Sequence, residues 1–348
     1  MGPDESPSNT GLTCHLRPEA LRDFMTAAND LSTVSLTNKA VEVTFLPAFG
    51  GKAISLLSRR TGAEFLLPPL HPYQRARQDA PFDESDAGGF DECLPSVASC
   101  SAIGEEAAVA DHGDLWRVSW QSEVTADMVR LSADASSRPL RMTRTATLRG
   151  SVVVLEYQIE NLSDGPVRWL WSAHPLFAIS TGDRIILPRE IIAATVEGSM
   201  AGDFTRGTTI GWPFAETNSG TTVDLSTVGE FDGRTAHKLF VKPTSCGAAA
   251  LYRSSLKQGI VVRFDAAALP YLGLWICQGA WPATGPNRQY AVALEPTTSN
   301  VDSLAEAELQ RTHRTLVARE KTEWRIEIEL IGAEGPVSYE QLEERLNS

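Results

Sequence analysis

"TVSLTNKAVEVTFLP", residues 33–47, decides the fold class. Val34, Leu36, Val41, Val43 and Phe45 alternate with polar residues. In a strand successive side chains point to opposite faces, so this spacing presents one apolar face to a core. Pro47 and the Gly50–Gly51 pair punctuate the run, and "KAISLLS" (52–58) follows as a second strand. "RRTGAEFLL" (59–67) reads as a Thr-Gly turn and a third strand. The theme continues in "LWRVSWQSEV" (115–124), "LRMTRTATLRG" (140–150), "SVVVLEYQIENLS" (151–163), "QGIVVRFD" (258–265), "YLGLWICQG" (271–279) and "EWRIEIELIG" (323–332). Val, Ile, Thr and aromatic residues dominate these runs, and Gly, Asn, Asp and Ser separate them.

Many short strands with few helices predict one all-β domain, an antiparallel sandwich or barrel, spanning residues 33–335. Ahead of it, residues 1–32 hold a polar, loose start and a short amphipathic helix. In "RPEALRDFMTAANDL" (17–31), Leu21, Phe24, Met25 and Leu31 share one helical face. Residues 336–348 close the chain with a second helix in "SYEQLEERLNS". The least regular stretch, 68–114, is rich in Pro, Gly, Asp and Glu, and long loops on a rigid scaffold are where binding residues tend to sit.

The 348 residues carry a formal net charge of −13, which argues against a nucleic-acid binder because phosphate neutralisation needs clustered Lys and Arg. There is no run of 18 or more apolar residues, so no membrane-spanning helix is expected. The opening "MGPDESPSNTGLTCHL" has neither the basic start nor the apolar centre of a secretory signal. Five scattered cysteines (Cys14, Cys93, Cys100, Cys246, Cys277) lack zinc-site spacing and read as reduced thiols, so a cytoplasmic location is the expectation. Phosphate loops, nucleophile elbows and zinc-protease motifs are all missing.

Three local environments remain. In "DHGDLWRVSW" (111–120), His112 stands between two aspartates and before Gly113. In "WLWSAHPLFAI" (169–179), His174 interrupts an apolar run and precedes a proline, which favours extended backbone. In "VALEPTTS" (292–299), Glu295 follows three apolar residues, and Pro296 is expected to end the strand there. Glutamate is rarely buried unless paired, so Glu295 either points to solvent or has a special setting. Each histidine also has an ordinary reading as a satisfied structural residue. Weaker candidates are Asp91 and Glu92, after a glycine pair in the long loop, and Trp275 with Gln278 beside Trp281. An aromatic face with an amide is what a sugar site uses.

In this order, His-Gly before an aromatic strand, His in a strand after "ENLSDGPV", and Glu-Pro in "YAVALEPTTS" resemble the aldose 1-epimerase (galactose mutarotase-like) superfamily. "VEVTFLPAFGGKAISLLSRRTGAEFLLPP" looks like its first sheet segment and "REKTEWRIEIELIG" like its closing strand, so the resemblance runs from about residue 34 to 333. It implies a large antiparallel β-supersandwich with the site in the concave face of one sheet. By the same resemblance His174 matches the general acid, Glu295 the general base, and His112 a histidine near the sugar ring oxygen. The family's acidic hydroxyl-binding residue has no secure counterpart; Asp265 is a candidate by order, and Asp91 and Glu92 are candidates from the loop. The chain departs from the pattern in lacking the Asn-Arg loop upstream of His112, and in placing Asp114 after Gly113.

Interconverting sugar anomers needs one basic and one acidic group acting near neutral pH, and no metal or organic cofactor. The expected ligand is therefore a monosaccharide, with no nucleic-acid or membrane partner, and a homodimer is left open. Hexose-6-phosphate 1-epimerase would need Arg or Lys converging on a phosphate. A non-catalytic carbohydrate-binding or sensing protein is the alternative from outside enzymology, since fold does not fix function.

Overall fold

The structure, a computed structural model, describes residues 31–77, 80–102, 106–243, 247–332 and 334–347. Two antiparallel sheets dominate it. The first has ten strands, in spatial order β1 (Val34–Thr37), β2 (Val41–Leu46), β3 (Lys52–Ser58), β4 (Phe90–Cys93), β10 (Ser172–Ala178), β20 (Tyr290–Thr297), β19 (Tyr271–Gln278), β16 (Ala236–Val241), β12 (Ala193–Ser199) and β13 (Thr209–Gly211). The second has eight: β11 (Arg184–Ile186), β17 (Gly247–Arg253), β18 (Gln258–Phe264), β22 (Lys321–Ile331), β8 (Val152–Asn161), β7 (Leu140–Arg149), β6 (Met128–Asp134) and β5 (Gln121–Val124). Short pairs β14 (Phe214–Glu216) with β15 (Thr222–Asp224), and β9 (Val167–Trp169) with β21 (Arg314–Leu316), lie beside them.

The period-two reading of residues 33–47 holds. Val41, Val43 and Phe45 of β2 are buried against Leu155 and Ile159 of β8 and Trp171 in one core between the sheets. On β22, Trp324, Ile326, Ile328 and Leu330 are buried while Glu323 and Arg325 are exposed and Glu327 and Glu329 half-buried, the alternation of a sheet with one wet face. The central strands of the first sheet differ: β10 and β20 are buried on both faces. Their outer face is roofed by loops, which is why "YAVALEP" reads as a continuous apolar run.

Four expectations need correction. Pro296 does not end the strand: β20 lies between β10 and β19, and Pro296 pairs with Leu272 inside it. Pairing between β10 and β20 skips from Ser172–Thr297 to Leu176–Ala293, and the seam between holds Pro175 and Pro296, which have no N–H to give. Residues 68–114 are not loop throughout, because β4 lies inside them at the centre of the sheet. After the Thr61–Gly62 turn only isolated bridges form, at Glu64 and Leu66; the Glu64 carboxylate accepts the Leu56, Phe65 and Leu66 N–H groups instead. Finally, Leu115–Arg117 form a 3-10 turn before β5 begins.

Helix α1 (Leu304–Gln310) follows β20, and α2 (Tyr339–Asn347) is the helix expected at the C-terminus, seated by Leu342 and Leu346 against Ile186, Ala248 and Val261. The helix expected over 17–31 falls outside the described residues but for Leu31. No helix among the described residues is long and apolar enough to cross a membrane. Cys93, Cys100 and Cys277 are buried free thiols; Cys14 and Cys246 are outside the described residues.

Candidate active site

Register assembles a row of side chains on the outer face of the ten-stranded sheet. His174 stands opposite Asp91 across β10 and β4. The Ser172–Thr297 and Leu176–Ala293 pairs bracket His174 opposite Glu295. Glu295 in turn stands opposite Gly273 on β19, and Gly273 opposite Phe240 on β16. Side chains directly opposite one another share a face, so strands distant in sequence deliver an acid, a histidine and a second acid to one line.

A cavity of about 240 Å³ opens over this row. Polar side chains of His174, Glu295, Lys238 and Asp302 line it together with the rings of Phe82, His112, Trp275 and Trp281. The three residues His112, His174 and Glu295 therefore share one cavity, although they are 62 and 121 residues apart in sequence (174 − 112 and 295 − 174). His174 Nε2 lies 3.9 Å from Glu295 Oε1, beyond hydrogen-bond length. Both His174 Nδ1 and Glu295 Oε1 are buried with no hydrogen-bond partner. The other Glu295 oxygen, Oε2, is held by the Lys238 ammonium, whose Nζ also stands 3.5 Å from Asp302 Oδ1.

Backbone conformation explains the His-Gly motif. His112 and Gly113 both have positive φ, 57° and 73°. A methyl group on Gly113 would run into the Leu94 and Ser96 carbonyls, so glycine is required there by space as well as by φ. The turn holds His112 Nδ1 at 2.9 Å from Asp111 Oδ1 and stacks its ring on Phe82, 3.9 Å between centroids. Phe82 is fixed in turn by its N–H on Asp111 Oδ2, 2.9 Å. His112 Nε2 is thus the ring edge left for a ligand, and the His112 and His174 rings lie 5.1 Å apart. Asp114 points away from the cavity; buried, it accepts the Ser137 N–H and hydroxyl.

Burial and neighbouring charge set the titration of the row. Burial pushes the Glu295 carboxyl up, against the pull of Lys238, and Asp302 adds to the rise. Burial drives the His174 imidazole well below its ordinary value, and the charges of His112, Lys238 and Lys52 push the same way. His174 is therefore neutral in the free protein. Asp91 is raised by burial to about 6, although Lys52 at 3.0 Å pulls it down. Asp111, raised by burial but lowered more by its His112 hydrogen bond and by the His112 charge, is held to about 2.

The remaining sequence candidates divide. Trp275 lines the cavity, its indole N–H on Gln289 Oε1 at 2.9 Å. Gln278 does not: three residues along the strand it faces the other way, against Gly229. Glu92 is part of the inter-sheet core, where its carboxylate takes Arg144, Tyr157 and Trp171, so it is unavailable to a ligand. Asp91 is a buried partner of Lys52, which also binds Asp86, and stands next to His174 without lining the cavity. Asp265 lies beyond β18 in the opposite sheet, where it caps the Ala267 N–H. Lys238, Asp302, Phe82 and Gln289 were not anticipated. Lys238 left one signal, a lone lysine in the apolar run "AHKLFV".

No family model and no curated sequence matches the chain. Solved structures do. A candidate aldose 1-epimerase from Klebsiella pneumoniae superposes with a TM-score of 0.66 at 14% identity, over 90% of this chain and 82% of its own. Slr1438 of Synechocystis sp. PCC 6803 gives 0.64 at 15% identity, over 87% and 96%. A galactose mutarotase related enzyme from Lactobacillus acidophilus gives 0.62 at 13%, over 88% and 99%. Two antiparallel sheets in this order, matched nearly end to end by these structures, show that the chain has the galactose mutarotase-like β-sandwich fold.

Proposed function

We propose that the protein interconverts the anomers of an unphosphorylated aldose by acid–base catalysis, with Glu295 and His174 as the reacting pair. One observation carries this reading: Glu295 Oε1, a buried carboxylate oxygen with no hydrogen-bond partner, lies 3.9 Å from Nε2 of His174, whose other ring nitrogen is likewise buried and unpartnered, and both residues line the cavity. Leaving such groups unpaired costs stability, and sites of chemistry are where that cost is tolerated.

In this scheme Glu295 Oε1 removes the C1 hydroxyl proton. Electrons move to form the C1 carbonyl, the bond from C1 to the ring oxygen breaks, and the ring oxygen receives a proton from His174 Nε2. Rotation about C1–C2 and the reverse steps close the ring on its other face, returning both protons. Because burial keeps His174 neutral in the free protein, the form with Glu295 ionised and His174 protonated is a minority state. His174 first engages the ring oxygen as a neutral N–H donor, and the transition state draws on the minority form. Trp275, Trp281 and Phe82 supply apolar faces for sugar C–H groups, and Asp302, half-open beside Lys238, suits a hydroxyl.

The cavity's charges favour an unphosphorylated sugar. Lys238 in its lining is already flanked by Glu295 and Asp302, and Asp111 adds a further carboxylate. A phosphate would meet more negative than positive charge. The Lys238–Glu295 pair also gives substance to a second reading, a sugar-binding protein without catalysis, because it engages one lobe of the candidate base. Magnetisation-transfer NMR between α and β anomers of a panel of free aldoses separates the two. Exchange faster with protein than without it supports the enzyme. Binding with unaltered exchange across the panel would leave only the second reading.

A further inference from the structure

We propose that Lys238 is a positioning residue for the candidate base: it reaches over Gly273 to pin Glu295 Oε2, leaving Oε1 as the lobe offered to a ligand. The inference rests on the acid–base reading above, and its main readout does not depend on catalysis. The residues come from three neighbouring strands. Lys238 is on β16, Glu295 on β20, and β19 runs between them. Any side chain on β19 at this level would part the two. The residue there is Gly273, where an added Cβ would lie 2.9 Å from Glu295 Oε2 and 3.4 Å from Lys238 Nζ.

The geometry distinguishes this contact from a surface ion pair. Glu295 is fully buried, Lys238 nearly so, and both line the cavity. A carboxylate taken out of water with no counter-charge would be held in its neutral form and could not act as a base. One oxygen is engaged and the other is unpartnered, 3.9 Å from His174 Nε2. A carboxylate free to rotate would present either lobe; here the ammonium selects one. Among the described residues, five further titratable groups stand on or beside this row. Asp302 follows β20, His174 is on β10, His112 is on its loop, and Cys93 and Asp91 are on β4. Of these, His174 is neutral, Asp302 opposes ionisation and His112 favours it less than Lys238 does, so Lys238 is the leading positive charge on Glu295 and the one that contacts it.

The test compares wild type, Lys238→Met and Lys238→Arg. The Glu295 carboxyl is followed by infrared difference titration, identified by its loss in Glu295→Gln. In Lys238→Met the Glu295 titration should move up by about one pH unit or more, and Lys238→Arg should bring it back toward wild type. Where anomer exchange is measurable, the acid limb of kcat/KM should move with it. The loss is then deepest at low pH, about tenfold for each pH unit the titration moves, and shrinks as pH rises. Lys238→Gln, uncharged but able to hydrogen-bond, serves if the methionine variant does not fold. An unmoved Glu295 titration, or a loss equal at every pH, would overturn the role of Lys238. Absence of exchange in wild type, with the titration moved as expected, would instead sink the enzymatic reading and leave the pinning intact.

Discussion

Replacing Gly273 by alanine places a methyl group where the structure has no room for one. Its Cβ would lie 2.9 Å from Glu295 Oε2, 3.2 Å from Glu295 Cβ and 3.4 Å from Lys238 Nζ. Gly273 does not have a positive φ, so the strain is one of space rather than backbone conformation. Overpacking of this kind costs about 1–3 kcal/mol. Against that, alanine restricts the unfolded chain and returns about 0.4–1 kcal/mol. The expected net loss is about 1–2 kcal/mol, read as a lower denaturant midpoint with unchanged slope. The effect on rate should be larger. The methyl group must push Glu295 or Lys238 aside, and a displacement of about 1 Å at a reacting group can cost about 10²-fold. Anomer exchange assayed well below the unfolding midpoint isolates this second effect. Wild-type exchange in Gly273→Ala would refute the argument, since the pair could then be parted without consequence.

Other outcomes follow from the same structure. Glu92→Gln should destabilise by about 3–5 kcal/mol, because it strands the buried Arg144 charge, yet leave exchange measurable where the variant is folded; abolished exchange in folded protein would return Glu92 to the site. Asp111 is held to about 2, below its unfolded value, so its contribution to stability is present above about pH 4 and lost as pH falls toward 2. Acid denaturation of Asp111→Asn should lack that step. Asp91 is displaced the other way, to about 6, so the native state binds its proton more tightly than the unfolded chain does. Its contribution therefore favours folding as pH falls from about 6 toward 4, and Asp91→Asn should flatten that part of the stability profile. His174→Gln should fold normally and lose about 10²–10⁴-fold in exchange rate; undiminished exchange would remove His174 from the mechanism.

The sheet character of the chain was legible because period-two alternation is a local property, visible in residues 33–47 and again in β22. The convergence of His112, His174 and Glu295 was legible through the resemblance, and the structure supplies its physical basis in register and in the left-handed His112–Gly113 turn. Facing was less legible. Trp275 and Gln278 are three apart, and on a strand that spacing puts them on opposite faces, a signal that was available. Asp91 and Glu92 differ for the same reason, but β4 is four residues long with two acids, too short and too polar to announce a strand. The partners of Glu92, Arg144 and Tyr157, come from strands more than fifty residues away, so no local pattern could have disclosed a satisfied core carboxylate. Lys238 was hidden likewise: its meaning depends on Gly273 and Glu295 sitting on the next two strands.

The most direct test of the account is the optical rotation of freshly dissolved α-D-galactose, α-D-glucose and a wider aldose panel, with wild type and Glu295→Gln at equal concentration. Wild type should bring at least one sugar to equilibrium faster than buffer alone, and the folded glutamine variant should lose about 10²-fold or more of that acceleration. Equilibration no faster than in buffer for every sugar, or acceleration undiminished in Glu295→Gln, would contradict it.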